Sequence, residues 1–205
     1  MKKTDIVEAL ETHSCTTADA KLYAITIPLI KRDGAYHLLF EVRAETLRRQ
    51  PNEICFPGGK VEKDEPIQKA AFRETMEELR LPADAIEMIH SLIPITIPHN
   101  IMVFPYVAFI NTPFEDLNPN PDEVQELFTV PLEYLLHVKP EKHTIYSQVV
   151  VPDDFPFEKI QNGRNYNWNQ SDYHVYFFEY EHRIIWGITA RITSEFINVM
   201  NKHQA

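Results

Sequence analysis

Gly58-Gly59-Lys60-Val61-Glu62-Lys63-Asp64-Glu65-Pro66, continued by Arg73-Glu74-Thr75-Met76-Glu77-Glu78-Leu79, is the stretch on which the reading of this 205-residue chain turns. Its spacing is Gly-x5-Glu-x7-Arg-Glu-x-x-Glu-Glu. Pro66 suits the first helical position, where its missing N–H costs nothing. Asp64 and Glu65 put negative charge at the positive end of that helix. From Ile67 to Leu79 there is no Gly or Pro, and Ala70, Ala71, Glu74, Met76, Glu77 and Leu79 are good helix formers. At ~100° per residue, Glu74, Glu77 and Glu78 share one face. Phe72, Met76 and Leu79 fall on the opposite face and are expected in the core. Three neighbouring carboxylates repel one another unless a counter-charge neutralises them. Carboxylate oxygens suit hard cations, and Mg²⁺ takes a few carboxylates together with water and substrate phosphate oxygens.

The full spacing resembles the Nudix box, the loop–helix–loop signature of the Nudix hydrolases. It departs from the family pattern at Thr75, where an aliphatic residue is preferred, and at Arg80, where Gly is preferred. Upstream, Arg43-Ala44, Arg48 and Phe56-Pro57-Gly58-Gly59 are similar to the additional signature of the coenzyme A pyrophosphatase branch. Glu41 stands where that branch favours Thr, and Asn52 where it favours Gly. Asn tolerates a positive φ, so Asn52 is expected to keep the turn. The resemblance implies a Nudix fold of class α+β, with a mixed β-sheet sandwiched between helices (an α/β/α sandwich). It also implies that the carbonyl of Gly59 is a metal ligand.

Composition agrees with a globular protein. The chain is 44% hydrophobic, which suits one domain over 1–205 with a substantial core. Its formal net charge is −10, with no basic run, which argues against nucleic acid and acidic membranes as partners. Arg43, Arg48 and Arg49 are then candidate contacts for substrate phosphates, since guanidinium groups suit phosphate oxygens. Of only five glycines, Gly58 and Gly59 sit together where backbone must come close to a metal and a phosphate. The two cysteines, Cys15 and Cys55, match no zinc or disulfide pattern, and Cys55 reads as core packing. No signal peptide, membrane span or peroxisomal address is visible, so a cytoplasmic location is the default expectation.

Along the chain, Asp5 to Thr12 reads as a short N-terminal helix. Leu22 to Ile30 and Tyr36 to Val42 read as strands joined through Asp33-Gly34, a hairpin signal. Ile86 to Ile97 and Val103 to Ile110 read as strands separated by Pro98-His99-Asn100. Pro94 and Pro105 point to edge positions or bulges. Asn111 to Asp122 reads as a surface loop, Val124 to Val130 as a strand, and Pro131 to His137 as a short helix. Thr144 to Val151 and Val175 to Tyr180 read as strands. Ile184-Ile185-Trp186 leads into a C-terminal helix whose apolar stripe is Ile188, Ile192, Phe196 and Val199.

The expected reaction is metal-dependent hydrolysis of the diphosphate bond of coenzyme A or its derivatives, giving a phosphopantetheine fragment and adenosine 3′,5′-bisphosphate. Mg²⁺ or Mn²⁺ is the expected ion, held by Glu74, Glu77, Glu78 and the Gly59 carbonyl. Arg73 is expected to hold Glu65 and Glu74 by ion pairing, with Glu65 structural. Glu77 or Glu78 is a candidate general base, and Glu123, in Asp122-Glu123-Val124, is a further candidate. Arg43, Arg48 and Gly58 are assigned to the substrate. Another nucleoside diphosphate derivative (ADP-ribose, NADH or a dinucleoside polyphosphate) is the alternative substrate. A non-catalytic nucleotide-sensing domain is the alternative from another class, and retention of every acidic residue of the box favours the enzyme. A homodimer is left open.

Overall fold

The computed structural model describes residues 20–98, 100–168 and 171–204. The expected helix at Asp5 to Thr12, Cys15 and His99 lie outside the described residues. The described chain divides into two compact units, one of residues up to Lys31 with Phe56–Asn120, the other of Arg32–Cys55 with Pro121 onward.

In the first unit, β1 (Lys21–Arg32) runs parallel to β7 (Ile101–Ile110), from Lys21 opposite Ile101 to Ile30 opposite Ile110. The short β4 (Gly58–Lys60) pairs antiparallel with β1, placing Gly59 opposite Ala24 and Gly58 opposite Ile25. On the other side of β7 lie β5 (Ile86–Ser91) and β6 (Ile95–Ile97), both antiparallel. The sheet is therefore mixed. Helix α1 (Ile67–Leu79) lies against it with Ala70 and Ala71 fully buried beside Ala24, so three methyl groups make the contact and the helix comes close to β1.

Two strand expectations change here. Ile86 to Ile97 is not one strand but two, broken over Leu92-Ile93-Pro94. Of the edge or bulge expected at Pro105, the edge is not found: β7 has strands on both sides, and Pro105 pairs with Ile25 on one side and faces the interruption between β5 and β6 on the other. The two facts share a cause. Pro105 has no N–H to give a neighbour, and the break between β5 and β6 falls opposite it. Its carbonyl still accepts the Leu92 N–H at 2.9 Å.

In the second unit, β2 (Ala35–Arg43) pairs antiparallel with β3 (Ile54–Cys55) and β8 (Val124–Pro131). Asp33 and Gly34, both at positive φ, make the two-residue turn that precedes it. Asn52 adopts φ 61, as its turn requires. Helix α2 (Leu132–His137) follows, with Pro131 as its cap rather than its first residue; Pro66 plays the same part for α1. A separate three-stranded antiparallel sheet has the order β11 (Arg183–Trp186), β10 (Ser171–Tyr180), β9 (Glu141–Ser147). The strand expected at Thr144 to Val151 is thus displaced towards the N-terminus, and 148–151 continue as loop. Helix α3 (Gly187–Gln204) buries Thr189, Ile192, Thr193, Phe196 and Ile197, whereas Val199 is exposed and Ile188 half-buried. The stripe takes in two threonines because their hydroxyls are satisfied: Thr189 donates to the Ile54 carbonyl at 3.1 Å and Thr193 to the Thr189 carbonyl at 2.9 Å. The class is α+β, with helices flanking the strands.

Arg80 ends α1 in the left-handed region at φ 50, and its N–H bonds the Met76 carbonyl. Its side chain donates to Asn120 Oδ1 at 3.0 Å, and the Asn120 N–H donates to the Glu78 carbonyl at 2.8 Å. A residue with a Cβ is strained in this conformation by about 1 kcal/mol, and the exposed Arg80–Asn120 bond returns less than that. Arg80→Gly is expected to stabilise the protein by about 0.5–1 kcal/mol, read from its urea unfolding midpoint.

Candidate active site

The site is built on α1 and the loop that leads into it. Arg73 donates from Nε to Glu65 Oε1 at 2.9 Å and from Nη2 to Glu65 Oε2 at 3.1 Å, a two-pronged pairing. Its Nη1 donates to Glu74 Oε1 at 2.8 Å and reaches Glu77 Oε2 at 3.4 Å. One guanidinium thus ties the loop acid Glu65 to two acids of the helix. Glu65 also accepts the Glu62 N–H at 3.0 Å. Glu78, 4% exposed, turns towards the glycines and accepts the Gly58 N–H on Oε2 at 2.7 Å.

The two glycines are needed for different reasons. A methyl group at Gly59 would run into the Glu74 carboxylate. At Gly58 it would meet the backbone of Ala24 and Ile25, in a conformation, φ 155, that L side chains rarely adopt. A flexible carboxylate can shift and a strand backbone cannot.

The helix face differs in part from the expectation. Leu79 is fully buried, but Phe72 and Met76 are half-buried, and the core-facing residues are Ala70, Ala71, Thr75 and Leu79. Thr75, where the resembled pattern prefers an aliphatic residue, has its hydroxyl 2.7 Å from the Ala71 carbonyl and 2.6 Å from Thr26 Oγ1. Glu78 joins the buried set because the Gly58 N–H satisfies it, so the acidic face is not uniformly solvated.

Among the described residues, no three His, Cys, Asp or Glu side chains are already gathered as a group that could hold a metal ion. Arg73 draws Glu74 and Glu77 one way, while Glu78 faces Gly58. The donor set nevertheless fits a hard cation. It consists of carboxylate oxygens and a backbone carbonyl, and the bare backbone of Gly59 faces Glu74 with no side chain between them.

The remaining candidates belong to the second unit. Arg43 is half-buried at the end of β2, where the pairing with β8 shifts register, and its buried Nε has no hydrogen-bond partner. Arg48 and Arg49 are exposed. Glu123 is half-buried, and its backbone carbonyl accepts the Ala44 N–H at 2.9 Å. Sequence reading missed a contact here. Glu41 is fully buried on β2, and the Cys55 thiol donates to its Oε1 at 3.1 Å across the β2–β3 pair. Cys55 is therefore half-buried and polar in role rather than plain packing. The only sign in the sequence is that Glu41 departs from the branch pattern. Of the aromatic residues near the C-terminal strands, Tyr166 and Trp168 touch edge to face with ring centres 4.9 Å apart. Tyr173 and Tyr176 lie on opposite faces of β10, as their spacing in a strand requires.

Two expectations follow from this geometry. Gly58→Ala is expected to cost about 2–3 kcal/mol and Gly59→Ala under about 1 kcal/mol, measured by urea unfolding. The second concerns acid. The Arg73 hydrogen bonds, and then the Glu62 N–H, hold the Glu65 carboxyl at about 2 instead of 4.5. The same Glu65 bond holds the Arg73 guanidinium above its ordinary range. With the folded value depressed, the unfolded state binds the proton first. The contribution of Glu65 is full above pH 4.5 and is lost as pH falls towards about 2. Glu65→Gln is expected to flatten the stability–pH curve across that window, measured by chemical unfolding at stepped pH.

The family model described as NUDIX domain matches residues 21–154. The chain is 40% identical over 116 residues to "Peroxisomal coenzyme A diphosphatase NUDT7" of Mus musculus, a match covering 56% of this chain and 49% of the mouse protein. The match thus spans only about half the length of that relative. The chain is 30% identical over 173 residues to "Uncharacterized Nudix hydrolase NudL" of Enterobacter sp. (strain 638), covering 84% of this chain and 79% of the relative. Among solved structures, a MutT/nudix family protein from Enterococcus faecalis superposes with a TM-score of 0.50 at 16% identity, over 98% of this chain and 70% of that one, a likeness of fold. The Gly-Glu-Arg-Glu-Glu-Glu constellation on β4, its loop and α1, together with a domain match over most of the described residues, establishes that the chain belongs to the Nudix hydrolase family.

Proposed function

We propose that the protein hydrolyses the diphosphate bond of coenzyme A or a derivative of it, releasing a phosphopantetheine fragment and adenosine 3′,5′-bisphosphate. The observation that carries this reading is the Arg73 fork, which holds Glu65, Glu74 and Glu77 around one guanidinium beside a glycine loop clasped by Glu78. The substrate is supported by Arg43-Ala44, Arg48 and Phe56-Pro57-Gly58-Gly59, and by the name of the mouse relative. The reading takes residues 1–205 as one Nudix domain and keeps the cytoplasmic location, although that relative is named as peroxisomal. No helix among the described residues is long and apolar enough to cross a membrane.

Glu74, Glu77, Glu78 and the Gly59 carbonyl would hold the divalent cation, Mg²⁺ or Mn²⁺. Such an ion neutralises diphosphate charge and lowers the pKa of an attacking water. Arg73 keeps the acids from splaying under their mutual repulsion. Glu77, whose side chain is 55% exposed, Glu78 and Glu123 are the carboxylates offered as acceptor of the water's proton. The buried, unpartnered Nε of Arg43 is a donor suited to a phosphate oxygen of the substrate. Arg48 adds a second guanidinium, and Gly58, by letting the loop lie against the backbone of β1, keeps that loop in place beside the diphosphate.

Product analysis on coenzyme A tests the reading directly. Wild-type protein with Mg²⁺ is expected to release both fragments, and Glu78→Gln to lose at least about a hundredfold in kcat/KM. Glu123→Ala at saturating Mg²⁺ separates that residue from the helix acids, since unchanged turnover removes it from the mechanism. Wild-type turnover of ADP-ribose or NADH but not coenzyme A would overturn the substrate assignment.

A further inference from the structure

Thr26 is fully buried on β1 and touches both halves of the site at once. Its backbone N–H donates to the Pro57 carbonyl at 2.8 Å, in the glycine loop. Its hydroxyl meets the hydroxyl of Thr75, also fully buried, at 2.6 Å on the catalytic helix. Thr75 lies 2.7 Å and Thr26 3.3 Å from the same Ala71 carbonyl, so two hydroxyl protons serve three contacts and neither oxygen is stranded. Glu78 lies three residues beyond Thr75, and its carboxylate takes the Gly58 N–H at 2.7 Å. The circuit closes: Thr26 to Pro57, along the chain to Gly58, across to Glu78, back through one helical turn to Thr75, and across to Thr26.

Among these links the Thr26–Thr75 pair has no catalytic or metal-binding duty. An aliphatic side chain at position 75 would fill the same space with no preferred direction. A hydroxyl pair buried away from water fixes the roll of a helix, because leaving either oxygen unpaired carries a desolvation cost. Ala70 and Ala71 make the contact short enough for the hydroxyls to meet.

We infer that Thr26 and Thr75 are positioning residues that set the carboxylate face of α1 against the Pro57–Gly59 loop, so that Glu78 and Gly58 stay in register. The inference rests on the proposed function only for its consequence in catalysis; the register itself is a property of the folded chain.

Amide hydrogen exchange followed by NMR reads that register without metal or substrate. Thr26→Val and Thr75→Val preserve side-chain shape and remove one hydroxyl each, and Thr26→Val keeps the backbone N–H. Each is expected to speed exchange at the Gly58 amide by about tenfold, on the scale of the one hydroxyl–hydroxyl link that both variants remove. Exchange at Ile27, in the same strand and fully buried, is expected to change far less. Thr26→Ser and Thr75→Ser are expected to restore the wild-type rate at Gly58. The double valine variant is expected to fall short of the product of the two single effects, because both singles break the same link. Unchanged Gly58 exchange in the valine variants, an equal acceleration at Ile27, or independent effects in the double variant would each overturn the positioning role. Failure of the wild type to cleave coenzyme A, with Gly58 exchange behaving as described, would count against the functional reading alone.

Discussion

Carboxylates placed one helical turn apart push each other away, and every feature of this site answers that repulsion. Arg73 answers it first. Its guanidinium is planar with fixed donor directions, so one side chain reaches Glu65 twice and Glu74 and Glu77 once each. Lysine, a point charge on a flexible stem, has no equivalent fork. Glu78 is held differently, as its carboxylate accepts the Gly58 N–H. The acids therefore fall into two groups, one held by charge and one by a backbone dipole. That division lets a crowded acidic face exist before any cation arrives.

The glycines and small residues around the site follow from the same crowding. Gly59 leaves room for the Glu74 carboxylate, and Gly58 lets the loop lie against the backbone of β1. Ala24, Ala70 and Ala71 reduce the distance between helix and strand to the reach of two threonine hydroxyls. Removing bulk in one place makes a polar contact feasible in another. The buried polar atoms gathered there have partners, which is the condition for tolerating them in a core.

Much of this was legible along the chain where the physics is local. The limits of α1 follow from Pro66 and an uninterrupted run of helix formers. The turns at Asp33-Gly34 and Asn52 follow from residues that tolerate positive φ. The Arg73 pairing with Glu65 and Glu74 follows from spacing on a helix and its leading loop. Where side chains answer to distant partners, the local pattern does not record the outcome. Pro94 and Pro105 point to an edge or a bulge; β7 is flanked on both sides, and the irregularity lies instead in the break between β5 and β6 that accommodates Pro105. Thr75 appeared only as a departure from pattern, although its partner Thr26 lies 49 residues away. Helical spacing places Val199 on the buried stripe of α3, but Thr189 and Thr193 are buried and Val199 is exposed.

By itself the sequence determined the family, the acidic face and its counter-charge, since each depends on residue type at short spacing and on helical period. Only the tertiary structure decided which acid is buried, which glycine faces a strand and which faces a carboxylate, and that two threonines meet. Those outcomes depend on through-space approach between strands and a helix. Such approach depends on the volumes of residues far apart in the chain, and no local pattern records it.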